Sequence, residues 1–197
     1  MKKIVLATKN KDKVKEIKSV FAKLPAEILS LDDFEKLPDA VEDGKTFQEN
    51  ATVKAKFFSD KLKLACLADD SGLEVEALNG LPGIYSARFS GYHADDDTNN
   101  QKLLEELEKV GVEESKADYQ CALSFIDTDG TELQAVGKIE GVIKKIPRGK
   151  GGFGYDPYFY IDDKKTMAEL TAEEKNSISH RGLALRKMLP KLKERLS

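Results

Sequence analysis

Apolar and polar positions alternate along this chain with two different periods. Residues 3–7, KIVLA, form a short β-branched run, and from Val14 onward Val14, Ile17, Phe21 and Leu24 fall at helical spacing, so a strand feeds a helix. After Pro25, AEILSL predicts a second short strand. A second helix is predicted from Thr46, an N-cap candidate with Glu49 at capping-box spacing, through NATVKAKFFSDKL, whose Ala and Phe residues share one face. LACLA, residues 64–68, then reads as a buried strand running into Asp69 and Asp70, and beyond a Ser-Gly turn LEVEAL predicts another short strand.

The second half repeats this alternation. Residues 95–110 predict a helix with Asp and Thr at its start, Leu103, Leu104 and Leu107 on one face, and Gly111 as its stop. Residues 119–126 and 131–139 alternate as strands around DTDG, a hairpin-like turn, and the sheet continues through GVIKKI. PRGKGGFGYDP leads into the strand YFYI. The C-terminal part is helical, with a capping box from Thr171 to Glu174 and an apolar stripe of Leu185, Met188, Leu192 and Leu196; Pro190, inside that stripe, is expected to kink or divide the helix.

Composition narrows the function classes. At 197 residues the chain can build one substantial core or two lobes sharing a cleft, and one globular unit is expected. With 40% hydrophobic and 34% charged residues, it has no apolar stretch near the roughly 18 residues of a membrane helix. The apolar run of MKKIVLATKN stops at Ala7, too short for a signal peptide, which predicts a cytoplasmic protein. A net charge of −3 argues against a general nucleic-acid binder. Cys66 and Cys121 lack CxxC spacing and read as buried small hydrophobes, not as a disulfide or zinc site.

Four segments could carry chemistry, each with a plainer alternative. TKNKDK places Thr8, Lys9, Asn10, Lys11, Asp12 and Lys13 at a strand-to-helix junction suited to phosphate, or is a capped surface helix with solvated lysines. Asp69 and Asp70 at a strand end, with Glu42 from the acidic loop VEDG, suit magnesium and the activation of a water; the alternative is an Asx turn before Gly72. GKGGFGYDP removes side chains where backbone must approach a ligand and then presents Phe153, Tyr155 and Asp156 to a planar base, or is a flexible connection. EKNSISHRG puts Lys175, His180 and Arg181 within two helical turns, as donors to a ligand or as solvated surface. FIDTDGT matches the DxDGT motif of haloacid dehalogenase-like phosphatases, with Asp127 as nucleophile, but it lies mid-chain between strands, where a hairpin turn is the expectation. The run Asp95, Asp96, Asp97 is read as helix capping.

In order, TKNKDK, EDGKTFQENATVKA, ADDSGLEV, GLPGIYSARFSG, GGFGYDPYF and MAELTAEEKNSISHRG resemble, block by block, the inosine triphosphate pyrophosphatase family, over nearly the whole chain. The resemblance implies an α/β fold with an elongated central mixed sheet, flanking helices and two lobes around a substrate cleft. It implies a magnesium-dependent, usually homodimeric enzyme that hydrolyses ITP, dITP and XTP to the monophosphate and pyrophosphate. Carried over by residue, Thr8 through Lys13 hold the triphosphate with Lys13 as the principal cation. Glu42 and Asp70 bind magnesium, Asp70 accepts the proton of the attacking water, and Asp69 supports the same site. Lys54 neutralises phosphate charge and Ser71 touches substrate. Phe153, Gly154, Tyr155 and Asp156 frame the base, and Lys175, His180 and Arg181 complete its recognition. The competing functions are the phosphatase built on Asp127 and a non-catalytic nucleotide-binding module.

Overall fold

The computed structural model describes residues 1–197. The strands are β1 (Lys2–Leu6), β2 (Ala26–Ser30), β3 (Ala65–Val75), β4 (Glu114–Ile126), β5 (Glu132–Lys144) and β6 (Phe159–Tyr160). The helices are α1 (Lys11–Phe21), α2 (Phe47–Leu62), α3 (Asp96–Lys109), α4 (Ala172–Ile178) and α5 (His180–Leu196). One six-stranded sheet has the order β2-β1-β3-β4-β5-β6. β1 runs parallel to β2 and β3, and β5 antiparallel to β6, so the sheet is mixed. No helix is long and apolar enough to cross a membrane.

The chain divides into two compact units. Unit 1 comprises Met1–Asp70, Cys121–Gly137 and Arg181–Ser197; unit 2 comprises Ser71–Gln120 and Lys138–His180. In unit 1 the strand pleat sorts side chains onto two faces. Ile4, Leu6, Ala65 and Leu67 join Ile17 and Phe21 of α1 and Ala184, Leu185, Met188 and Leu192 of α5. The intervening Val5, Ala7, Cys66 and Ala68 join Ala55 and Phe58 of α2. Cys66 and Cys121 are free and buried, and burial pushes both thiols up to about 12. Unit 2 has its own core, in which Leu73 and Val75 of β3 pack with Leu103 and Leu107 of α3, Tyr119 of β4 and Phe159 of β6.

Helix starts follow the sequence closely. Asn10 caps α1, and Asp95 with Thr98 and Thr171 with Glu174 form capping boxes on α3 and α4. At α2 the Thr46 side chain accepts from Glu49 N, but Glu49 takes Lys45 N in place of the cap's own N–H, so only half of the expected box forms.

Two expectations change. β3 runs unbroken from Ala65 to Val75, so the Ser-Gly turn and the separate strand after it are absent; the strand ends in a 3-10 turn at Glu76–Leu78. Near the C-terminus the break falls at Ser179, whose extended backbone separates α4 from α5, while α5 continues through Pro190 to Leu196. An interior proline costs about 3 kcal/mol. Burial of Leu185, Met188 and Leu192 on both sides of Pro190 outweighs that cost.

Candidate active site

The alternation along β3 decides where its two carboxylates go. Asp69 continues the register of Ala65 and Leu67 and faces α1 and α5, whereas Asp70 continues that of Cys66 and Ala68 and faces α2.

On the α1/α5 face, Asp69 Oδ2 lies 3.0 Å from Lys13 Nζ and accepts from Arg181 Nε and Nη2, each at 3.2 Å. Arg181 also donates from Nη1 to Glu16 Oε2 at 2.6 Å. Burial alone would raise the Asp69 carboxyl, but Lys13, Arg181 and Lys54 hold it well below the ordinary carboxylate range. Asp69 is therefore a permanent anion that orients two cations from the face of the strand opposite Asp70. Arg181 belongs to this cluster and to unit 1; the break at Ser179 removes it from the helix that carries Lys175.

On the α2 face, burial pushes the Asp70 carboxyl up to about 6, with Lys54 and Lys13 opposing that rise and Glu42 reinforcing it. Lys54 Nζ lies 2.9 Å from Glu42 Oε2 and 4.0 Å from Asp70 Oδ1, so its ammonium already sits where two carboxylates converge. Burial disfavours that charge, yet Asp70, Glu42 and Asp69 together raise the Lys54 ammonium above its usual value. Asn50, one helical turn before Lys54, donates to Asp70 Oδ2 at 3.2 Å and accepts from Gly44 N at 2.8 Å. It thereby ties the VEDG loop to the strand. Position 44 must be glycine for this approach, because a Cβ there would meet Asn50 Oδ1 at 2.6 Å.

A cavity of about 200 Å³ beside this group is lined by Thr8, Lys9, Asp39, Glu42, Lys54 and Phe58. Lys9 pairs with Asp39, and Thr8 Oγ1 accepts from Asn10 N. The Asn10 side chain accepts from Asp12 N and Lys13 N, so two of the first-turn N–H groups are already capped. No group of three or more His, Cys, Asp or Glu side chains is clustered to hold a metal. Glu42 and Asp70 supply only two carboxylates, which leaves any ion between them dependent on water or ligand oxygens.

In unit 2, Asp156 Oδ2 accepts from Phe153 N at 2.9 Å and from Lys175 Nζ at 2.7 Å. Lys175 Nζ also lies 4.2 Å from the centre of the half-buried Phe153 ring. Tyr155 is buried and its hydroxyl donates to Ser86 O at 2.8 Å, so it anchors the segment while Phe153 presents the ring. His180 stacks on Tyr119 with ring centres 4.6 Å apart. Ser71 is half-buried on β3.

The DTDG segment is a hairpin turn. Asp127 N donates to Thr131 O, and Gly130 N donates to Asp127 O. The fully buried Asp127 carboxylate pairs with Lys2 and with Arg195 Nε at 2.6 Å, and Asp129 pairs with Arg195. With its carboxylate 0% exposed and committed to two cations, Asp127 has a stabilising role in the structure.

Residues 4–191 match the model of the Ham1 family. The chain belongs to the Ham1 family. A relative from Geobacter sulfurreducens named dITP/XTP pyrophosphatase is 50% identical to this Ham1 chain over 186 residues, 94% of each chain. Another of that name from Bacillus anthracis is 48% identical over 197 residues, 98% of each. A HAM1 protein structure from Coxiella burnetii superposes with a TM-score of 0.89 at 41% identity, covering 98% of this Ham1 chain and 100% of that one. Two residues of the unit 1 clusters escaped the sequence reading, Glu16 and Asn50. Each lies three or four positions from a lysine of the site on the same helix, Lys13 and Lys54, and that spacing was the available signal.

Proposed function

We propose that this Ham1 chain hydrolyses ITP, dITP and XTP to the nucleoside monophosphate and pyrophosphate with the help of a divalent cation, magnesium by the chemistry of its ligands. Asp70 carries the reading: a buried carboxylate pushed up to about 6, held beside Glu42 and Lys54, in a chain whose relatives are named dITP/XTP pyrophosphatase.

Glu42 and Asp70 suit magnesium, which takes one or two carboxylates and completes its shell with water and substrate phosphate. When bound, that ion supplies Lewis-acid stabilisation of phosphate charge. Asp70 accepts the proton of the water attacking the α-phosphorus. A carboxyl near 6 is about nine-tenths ionised at pH 7 yet remains basic enough to take a proton. As the bond from the α-phosphorus to the bridging oxygen breaks, negative charge grows on the departing pyrophosphate. Lys13, oriented by Asp69, and Lys54 stabilise that charge, and Thr8 through Asp12 line the path of the phosphates. Arg181 keeps Asp69 ionised and so acts through Lys13.

In unit 2, Phe153 offers a ring face to the purine while Gly154, Tyr155 and Asp156 fix that ring. Lys175 and His180 donate to a 6-keto oxygen, and Ser71 contacts substrate. Adenine places a 6-amino group there instead, leaving buried donors unpaired at a cost of about 1–3 kcal/mol each. The same reading makes the protein a cytoplasmic homodimer of single-domain chains.

A nucleotide panel tests the proposal. ITP, dITP and XTP should be turned over with magnesium far faster than ATP and GTP, yielding pyrophosphate. Release of orthophosphate, or equal turnover across the panel, would overturn it.

A further inference from the structure

Gly154 lies between Phe153 and Tyr155 with φ +64, in the left-handed region that glycine occupies without strain. Asp156 holds the Phe153 N–H from within the loop. A glycine at the next position has no side chain to lock the peptide that follows the ring, and that restraint comes from outside the loop. Helix α3 supplies it from both sides. Asp96 Oδ2 accepts from Gly154 N at 2.7 Å, and Asn100 Nδ2 donates to Gly154 O at 2.9 Å. The two residues are four apart, one helical turn, so they share a face of α3 and reach the donor and the acceptor of a single residue. Neighbouring side chains are already committed elsewhere: Asp95 caps the helix through Thr98 N, and Asn99 Oδ1 accepts from Ser90 N. Asn100 is buried, and its Oδ1 has no hydrogen-bond partner, so the amide is oriented for Gly154 at the expense of its other end.

We infer that Asp96 and Asn100 are positioning residues for purine recognition: they clamp Gly154 and thereby fix the Phe153 ring that stacks on the base. The inference rests on the proposed nucleotide pyrophosphatase function. It gives Asp96 a task beyond capping. It also explains how a segment with four glycines in six positions can present one ring in a fixed pose. Lys175, over that ring and paired with Asp156, completes the restraint. Asp96, Asn100 and Gly154 belong to unit 2, whereas the proposed phosphate-handling groups Asp70, Glu42, Lys54 and Lys13 belong to unit 1. Loss of the clamp should therefore weaken the binding of a well-fitted base and leave the chemical step alone.

The test is steady-state kinetics on full-length Asp96→Ala, Asp96→Asn and Asn100→Ala, with thermal melts alongside. Asp96 is exposed, so its variants fold even if Asn100→Ala does not. Asp96→Ala is expected to raise KM for ITP about tenfold with kcat within twofold. Its kcat/KM for ATP, a poorly fitted base, should stay unchanged, and Asp96→Asn, which keeps an acceptor oxygen, should recover most of the loss. An unchanged KM for ITP, or an equal fall in kcat/KM for ITP and ATP, overturns the inference. If the wild-type protein does not hydrolyse ITP, the functional reading fails first, which is a separate result.

Discussion

Asp69 and Asp70, consecutive on one strand, face opposite layers of the sheet and are driven in opposite directions. Asp69, against Lys13 and Arg181, is held well below the ordinary carboxylate range, and Asp70, against α2, is pushed up to about 6. One residue of strand therefore separates a structural anion from a candidate base.

Replacing Asp70 should separate stability from turnover. Its carboxyl is raised from 3.8 to about 6, so the folded state binds the proton more tightly than the unfolded chain. The associated stabilisation is complete below 3.8 and is lost as pH rises through 6; at pH 7 the ionised group is a liability of up to about 3 kcal/mol. Asp70→Asn should abolish ITP hydrolysis and raise the Tm of the metal-free protein by several degrees. Kinetics and melts in EDTA check both, and near-normal turnover removes Asp70 from the role of base.

The same group links metal binding to pH. A proton and a divalent cation compete for Asp70, so below about pH 6 the apparent magnesium affinity should fall roughly tenfold per pH unit. Calorimetric magnesium titrations at pH 5 and pH 7, with a non-hydrolysable ITP analogue present, would show it. A pH-independent affinity would place the ion away from Asp70.

Much of this arrangement was legible in the chain because it depends on local patterning. The caps at Asp95 and Thr171, the hairpin around DTDG and the run of LACLA into the acidic pair are set by residue type and short spacing. The fate of the pair was less legible. A Ser-Gly pair reads as a turn, yet Leu73 N finds the Ser86 hydroxyl at 2.9 Å and the strand continues. Arg181 illustrates the other limit. The sequence places Arg181 within two helical turns of Lys175, but Ser179 takes an extended backbone and Arg181 turns to partners distant in sequence, Asp69 and Glu16. Tertiary charge pairing of that kind leaves no local signature.

Asp69→Asn should harm stability where Asp70→Asn improves it. The Asp69 and Arg181 side chains are 0% and 1% exposed, so removing the anion leaves a buried guanidinium and the Lys13 ammonium without their shared counter-charge. Breaking such a buried pair costs about 3–5 kcal/mol. Because the folded-state carboxyl is depressed, its contribution is present above the unfolded value of 3.8 and disappears only well below it. The variant should lose roughly 10 °C in Tm at neutral pH, and this deficit should shrink in strong acid. An unchanged Tm would mean that Lys13 and Arg181 find another anion.

Asp127 provides the sharpest contrast between a motif and its context. In a phosphatase its carboxylate would attack phosphorus and carry a covalent phosphoryl group, which requires an exposed nucleophile and an approach for substrate. Here it is fully buried, accepts from Lys2 and Arg195, and closes the turn between β4 and β5 through Thr128 N at 2.7 Å. Those contacts hold its carboxyl below the ordinary range against the opposing effect of burial. Asp127→Asn should therefore leave kcat and KM for ITP within about twofold while lowering stability by about 1–3 kcal/mol through the weakened pairs. Thermal melts and ITP kinetics on the same preparation check this. A variant that keeps its Tm and loses turnover would return Asp127 to the chemistry.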